Sequence, residues 1–117
     1  MTYTGYKDEY ENIIIPLVPN SMANWRNSPV TRIGDGAFEY SEKLISIIIP
    51  EGITYIGFNA FNSCPNLTTV TIPKSVTHID NWAFNKCDKL ETIYVKENSY
   101  AHEWCLKNDL GDKIQFN

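Results

Sequence analysis

The stretch Ile56-Gly57-Phe58-Asn59-Ala60-Phe61-Asn62-Ser63-Cys64-Pro65-Asn66-Leu67-Thr68-Thr69-Val70-Thr71-Ile72-Pro73 decides the fold, because its pattern returns 23 residues earlier and 23 residues later. Ile33, Ile56 and Ile79 share one column of the repeat. So do Ala37, Ala60 and Ala83, then Phe38, Phe61 and Phe84, then Leu44, Leu67 and Leu90. The same register aligns Ile47 with Val70 and Ile93, Ile49 with Ile72 and Val95, Pro50 with Pro73, and Ser41 with Cys64 and Cys87. A period of this length marks a repeat array: one unit cannot bury its own apolar side, and stacked units can.

Within the unit, Val70 and Ile72 alternate with Thr69 and Thr71, the two-residue period of a strand with one buried face. Pro73 ends that strand, since proline cannot donate to a ladder. Val76-Thr77-His78-Ile79 follows as a second short extended piece. Residues 80–87 are too few for a standard helix and are expected to form a single turn or bend that carries Ala83 and Phe84 inward. The predicted architecture is a solenoid of short strands and irregular turns, mostly β, with three 23-residue units over residues 33–97.

Terminal units of a solenoid need caps, because each would otherwise expose an apolar face. After Val95 the repeat stops, and residues 98–117 read as a capping helix plus a closing strand. Asn98 or Ser99 can serve as N-cap, Glu103 lies in the first turns, and Gly111 lies past the end. Ala101, Cys105 and Leu106 are expected to face the last unit, with Ile114 and Phe116 in the closing segment. Residues 1–32 are irregular. Ile13-Ile14-Ile15-Pro16 copies Ile47-Ile48-Ile49-Pro50, but at an interval of 34 rather than 23. This reads as a degenerate unit with an insertion at 17–27 that carries Trp25, preceded by a tyrosine-rich stretch at 3–10. If the chain belongs to a longer array, this edge is open to pairing with a second molecule.

Composition narrows the classes of function. The 117 residues carry ten Lys+Arg against fourteen Asp+Glu, for a net charge of −4, and 13% are aromatic. Mild acidity argues against nucleic acid or an anionic membrane surface as partner, and the aromatic content argues against disorder. No apolar run approaches the ~20 residues of a membrane span. The first residues lack the basic and apolar regions of a secretory signal.

The unit, an Ala-Phe pair followed by Cys, Leu and a proline-closed strand, resembles the BspA-like branch of the leucine-rich repeats, and residues 56–67 lie close to that pattern. The resemblance spans residue 28 to about 110, and the Ser-x-Ala-x3-Cys of the cap also looks like the family's C-terminal cap. It implies a leucine-rich-repeat solenoid of the α/β-type repeat class with a C-terminal capping helix. It also implies a non-enzymatic role in binding proteins, in adhesion at a cell surface or to host or matrix proteins, and hence an extracellular or cell-surface location. It brings no catalytic residues, cofactor or metal.

The residues themselves offer little chemistry. The three cysteines match no zinc-ligand spacing, and GxSxG, HExxH, P-loop and GxGxxG patterns are missing. A Cys87–His78 dyad can be written down, but Cys87 falls in an inward column and reads as a small buried hydrophobe. Cys64 and Cys87, one coil spacing apart, are close enough to bridge, although Ser41 in their column favours packing. His102 reads as a solvated histidine, and Asp35 and Asp80 as solvated carboxylates. Asn66-Leu67-Thr68 is a formal glycosylation sequon held close to the core by Leu67.

What remains is surface. Stacking sets outward residues in ladders: Ile48, Thr71 and Tyr94 on the strand face, Arg32, Tyr55 and His78 on the second extended piece, and Phe58 and Trp82 on the bend. Tyr94, Tyr55, Phe58 and Trp82 are aromatic where the repeat does not demand it. Exposed aromatics are frequent anchors of protein-binding surfaces. Phe58 and Trp82 either serve in that way or cover a groove between coils. The alternative to a ligand-binding module is a structural one, which spaces or oligomerises a larger assembly.

Overall fold

The computed structural model describes residues 2–3, 12–14 and 30–117, the first two segments through their strand pairing alone. Most of the tyrosine-rich stretch at 3–10 and the whole insertion at 17–27 with Trp25 lie outside the described residues.

Pro50, Pro73 and the bends keep the strands of the repeat short. In chain order they are β1 (Thr2–Tyr3), β2 (Asn12–Ile14), β3 (Arg32–Ile33), β4 (Ser46–Ile48), β5 (Tyr55–Ile56), β6 (Thr69–Thr71), β7 (His78–Ile79) and β8 (Thr92–Val95). The helix α1 (Tyr100–Lys107), a 3-10 turn at Gly111–Lys113 and β9 (Ile114–Phe116) close the chain. Two parallel sheets result, one ordered β1-β3-β5-β7 and the other β2-β4-β6-β8-β9. Their register is the sequence period made physical: Tyr55 pairs with His78, and Ile47 with Val70 and then Ile93. Ile13 pairs with Ile47 across the 34-residue interval, in the same parallel register as the later strands.

The bend is also a ladder between coils. Gly36, Phe38 and Tyr40 donate their N–H groups to Phe58, Ala60 and Asn62 of the next coil, and Asn59, Phe61 and Ser63 donate to Asn81, Ala83 and Asn85. This alternation depends on left-handed backbone at two positions of each unit. One is Gly36, Asn59 and Trp82 (φ 65, 59 and 62°), and the other is Tyr40, Ser63 and Lys86 (φ 63, 60 and 57°). Side chains add rungs at the same interval: the Thr54 hydroxyl donates to Thr31 O, Thr77 to Thr54 O and Thr68 to Ile45 O.

Inside, the repeat columns form the core, and Ile33, Ile56, Ala60, Phe61, Leu67, Val70, Ala83 and Ile93 are all fully buried. The phenylalanines stack face to face. Phe38 and Phe61 have ring centroids 5.2 Å apart, and Phe61 and Phe84 are 5.1 Å apart with planes within 1°. The edge of Trp104 on α1 then ends the column, 6.0 Å from Phe84. Each aromatic pair adds ~0.5–1.5 kcal/mol beyond burial.

The cap follows its expected outline, with corrections. Ser99 is the N-cap and its side chain accepts the His102 N–H. His102 is not a solvated histidine: its Nδ1 accepts the Asn98 N–H at 2.9 Å, and its ring meets the Phe116 ring edge-on at 4.9 Å. Ala101 and Cys105 are buried, but Leu106 is 53% exposed and does not face the last coil, because the helix is seated through Ala101, Cys105 and Trp104 instead. The helix ends through Asp109 in the left-handed region (φ 61°), with the Leu110 N–H returning to Cys105 O. The Tyr100 hydroxyl accepts the Ile79 N–H of the last strand in the first sheet, at 3.2 Å.

Gly57 shows how closely the coils approach. A Cβ there would lie 2.5 Å from Asp35 Oδ1 and 2.7 Å from Asp35 N of the preceding coil. Gly57→Ala therefore forces coils apart and is expected to cost ~1–3 kcal/mol, as overpacking does. Urea denaturation checks this, and an unchanged midpoint would show that the coils have slack.

Candidate functional site

Three exposed groupings emerge from the columns. On the first sheet, β3, β5 and β7 place Arg32, Tyr55 and His78 side by side. The Arg32 guanidinium lies 3.9 Å from the Tyr55 ring centroid, and Tyr55 and His78 stack at 4.7 Å with planes within 9°. Asp80 joins this row, although its carboxylate reads as merely solvated in the sequence. The Tyr55 hydroxyl donates to Asp80 Oδ2 at 2.8 Å, the Asn81 N–H donates to Oδ1 at 3.0 Å, and His78 Nε2 lies 3.9 Å from Oδ1. Asp35 is likewise engaged, accepting the Phe58 N–H at 2.9 Å.

These contacts shift two acidities in opposite directions. The hydrogen bond from Tyr55, helped by the Asn81 N–H and by His78, holds the Asp80 carboxyl below the ordinary carboxylate value. Tyr55 is raised, first by that same bond, then by burial and the nearby Asp80 and Asp35 charges, with Arg32 opposing.

The second grouping is on the bend, where Phe58 is 38% and Trp82 62% exposed, with rings 5.7 Å apart and tilted by 34°. The two rings, on adjacent coils, are in contact with one another while part of each remains exposed. Only a few residues separate Phe58 from Tyr55 and Trp82 from His78, so the two groupings run on from one another. Trp82 also borders a groove of about 320 Å³ between the last bend and the cap, lined by Trp104, Asn85, Asp88 and Cys87 among others.

The third grouping is the strand face of the second sheet. Ile48, Thr71 and Tyr94 are in lateral register, followed by Gln115 of β9. Ile48 is 48% exposed, while Thr71 and Tyr94 are half-buried. This row lies on a different sheet from Tyr55 and His78, so the seven residues singled out in the sequence divide into two surfaces.

Cys87 and His78 do not form a dyad: His78 is engaged with Tyr55 and Asp80, while the Cys87 thiol donates to Phe61 O at 3.0 Å. Cys87 is not fully buried either, since it borders the groove. Its pKa is lowered, first by the neighbouring Cys64 side chain and against the effect of burial. Cys105, by contrast, is pushed up to about 12 by burial. Asn66 of the sequon is held between coils, donating to Glu42 O and accepting from Lys89 Nζ. Among the described residues no His, Cys, Asp or Glu cluster could hold a metal ion, and no helix is long and apolar enough to cross a membrane.

Short strands in parallel register, a bend hydrogen-bonded from coil to coil and a helical cap define a repeat solenoid of the leucine-rich class. A family model of the BspA type leucine-rich repeat region, built on 6 copies, matches residues 22–116, and the chain belongs to that family. Solved bacterial structures share the fold. A leucine-rich repeat protein of T. pallidum superposes with a TM-score of 0.63 at 22% identity, over 80% of this chain and 44% of its own. One from Bacteroides capillosus gives 0.56 at 26% identity, over 81% and 86%. A leucine rich cell surface protein from Faecalibacterium prausnitzii gives 0.51 at 21% identity, over 97% and 33%. This chain thus spans less than half of the T. pallidum and F. prausnitzii proteins. No curated protein matches it by sequence. Leucine-rich repeat proteins are generally non-enzymatic modules that bind other proteins.

Two outcomes follow from this geometry. Because Asp80 ionises more readily when folded, its bond to Tyr55 adds stability above the ordinary carboxylate range and loses it as pH falls through the lowered folded value. The stability gap between the parent and Tyr55→Phe is therefore expected near neutral pH and closes in acid, and a gap independent of pH would refute the link. Trp82 holds a left-handed backbone that costs a bulky residue ~1–2 kcal/mol. Trp82→Gly, matching Gly36, is expected to equal the parent in stability or exceed it by ~1 kcal/mol, since little burial is lost with an exposed ring. A clear drop in melting temperature would show instead that the ring is needed for packing.

Proposed function

We propose that the chain is a protein-interaction module that docks its partner on the flank formed by Tyr55, His78, Phe58 and Trp82, with the Ile48, Thr71 and Tyr94 row as a second contact face. One observation carries this reading: Trp82, the most exposed large apolar side chain among those described, occupies a strained backbone position where the other coils place glycine and asparagine. A residue that costs the fold and buries little is explained by what it contacts outside the chain. The stacked coils order this surface before a partner arrives, which limits the entropy lost on docking.

Adhesion at a cell surface is the setting we favour, supported by the similarity of the fold to a bacterial leucine rich cell surface protein. The structural alternative also has an observation behind it. Among the described residues β1 and β2 are the outermost strands at one end of both sheets, and such edges can pair with a second copy.

An affinity pull-down with the immobilised chain tests both surfaces. Phe58→Ala and Trp82→Ala are each expected to weaken capture ~30-fold or more, the effect of losing a hot-spot aromatic worth ~2 kcal/mol. Tyr94→Ala reports on the strand face in the same assay. A partner list unchanged by all three variants removes both surfaces, and a monomer at every concentration in light scattering removes the pairing of edges.

A further inference from the structure

Cys64 and Cys87 occupy one column of adjacent coils, and the backbones there are pinned by the Ser63 N–H donating to Asn85 O at 2.8 Å. Both side chains lean back along the stack, with Cys64 Sγ 3.1 Å from Phe38 O and Cys87 Sγ 3.0 Å from Phe61 O. Cys87 therefore points toward the coil that carries Cys64. Coils in parallel register lie ~4.8 Å apart, inside the ~4.4–6.8 Å that separates the Cα atoms of bridged cysteines. All three cysteines are present as thiols.

Access to the two sulfurs differs. Cys64 is 0% exposed, whereas Cys87 is only partly covered and borders the groove between the last bend and α1. A small solute entering beside Trp82 and Trp104 meets Cys87 and not Cys64. The first coil cannot join in, because its residue in the column is Ser41.

We propose that Cys87 is a site of oxidation by small hydroperoxides, reached through the groove, and that Cys64 resolves the oxidised sulfur into a disulfide joining the second and third coils. In the first step the Cys87 sulfur attacks the terminal oxygen of the hydroperoxide. The S–O bond forms, the O–O bond breaks, and the departing oxygen takes the proton lost by Cys87 to leave as an alcohol, or as water from hydrogen peroxide. In the second step the Cys64 sulfur attacks the Cys87 sulfur. The S–S bond forms and the S–O bond breaks, and hydroxide leaves as water with the Cys64 proton. Two thiols lose two electrons in all, and the hydroperoxide gains them. The access of Cys87 from the groove sets this order of events, its lowered pKa raises the thiolate fraction, and Cys105, held as a thiol by burial, takes no part. The inference stands apart from any partner, since it needs only the folded chain.

The test treats the native, full chain with hydrogen peroxide, then alkylates it in denaturant and weighs it intact. The parent is expected to become lighter by two hydrogens and to retain one alkylatable thiol, mapped to Cys105. Cys64→Ser, which places in the second coil what Ser41 places in the first, is expected to stop at the sulfenic acid and to be captured on Cys87 by dimedone. Cys87→Ser is expected to give neither product. A parent that keeps all three thiols at peroxide doses that oxidise a reactive control thiol overturns the proposal. So does dimedone capture on Cys64 or Cys105, or a disulfide that forms only between molecules. Cys64→Ala repeats the trapping experiment should the serine variant fold poorly, and absence of a Cys87 adduct in both variants, folded by circular dichroism, also overturns it.

Discussion

The whole molecule depends on the pairing of each coil's backbone with its neighbour's at a fixed interval. In the strands this is ordinary parallel pairing, and through the bend it continues as N–H groups of one coil donating to carbonyls of the next. A bend of that length would leave buried polar groups unsatisfied if each unit stood alone, at a cost of ~1–3 kcal/mol per group. The neighbouring coil removes that cost and in doing so superposes equivalent residues. Columns of like side chains follow from it, from the stacked phenylalanines to the threonine rungs.

An array held together in this way has ends that differ from its middle. At the C-terminal end the missing coil is replaced piece by piece: Trp104 closes the phenylalanine column, the Tyr100 hydroxyl takes the Ile79 N–H, and β9 extends the second sheet. None of these groups belongs to the repeat pattern. Each reproduces one interaction that a further coil would have made, which is why a helix, a tyrosine hydroxyl and a short strand suffice.

The 23-residue period made the buried columns legible, because burial in a stacked array follows position in the repeat. The pairing of Ile13 with Ile47 was legible too, since like strands are needed to pair. Other features were not, and for physical reasons. That Trp82 adopts a left-handed backbone follows from its column-mates Gly36 and Asn59 only once the bend is known to donate from coil to coil. Asp80 occupies the column of Gly34 and Gly57, and nothing in that spacing shows that a tyrosine two strands back along the chain would reach its carboxylate. His102 sits where a capping box expects Glu or Gln, so its acceptor role is hidden by residue type. Cys87 differs from Cys64 in exposure because the cap leaves a groove beside it, and a groove is a property of neighbours far apart in sequence.

These departures gather in the third coil, which carries His78, Asp80, Trp82 and Cys87. A position in a middle coil must fit against a coil on either side, and Asn59 at the Trp82 position donates its N–H to Asn81 of the coil that follows. The third coil is followed by α1 instead, which covers Phe84 and the strand ends and leaves the outer bend open. Relieved of a following coil, the bend there can carry a large ring at a strained position and leave a thiol partly open. The repeat supplies rigidity through its sameness, and its last unit is where that sameness lapses. The proposed docking surface and the proposed reactive cysteine therefore share one cause, the replacement of a coil by a helix that covers less of the coil beneath it.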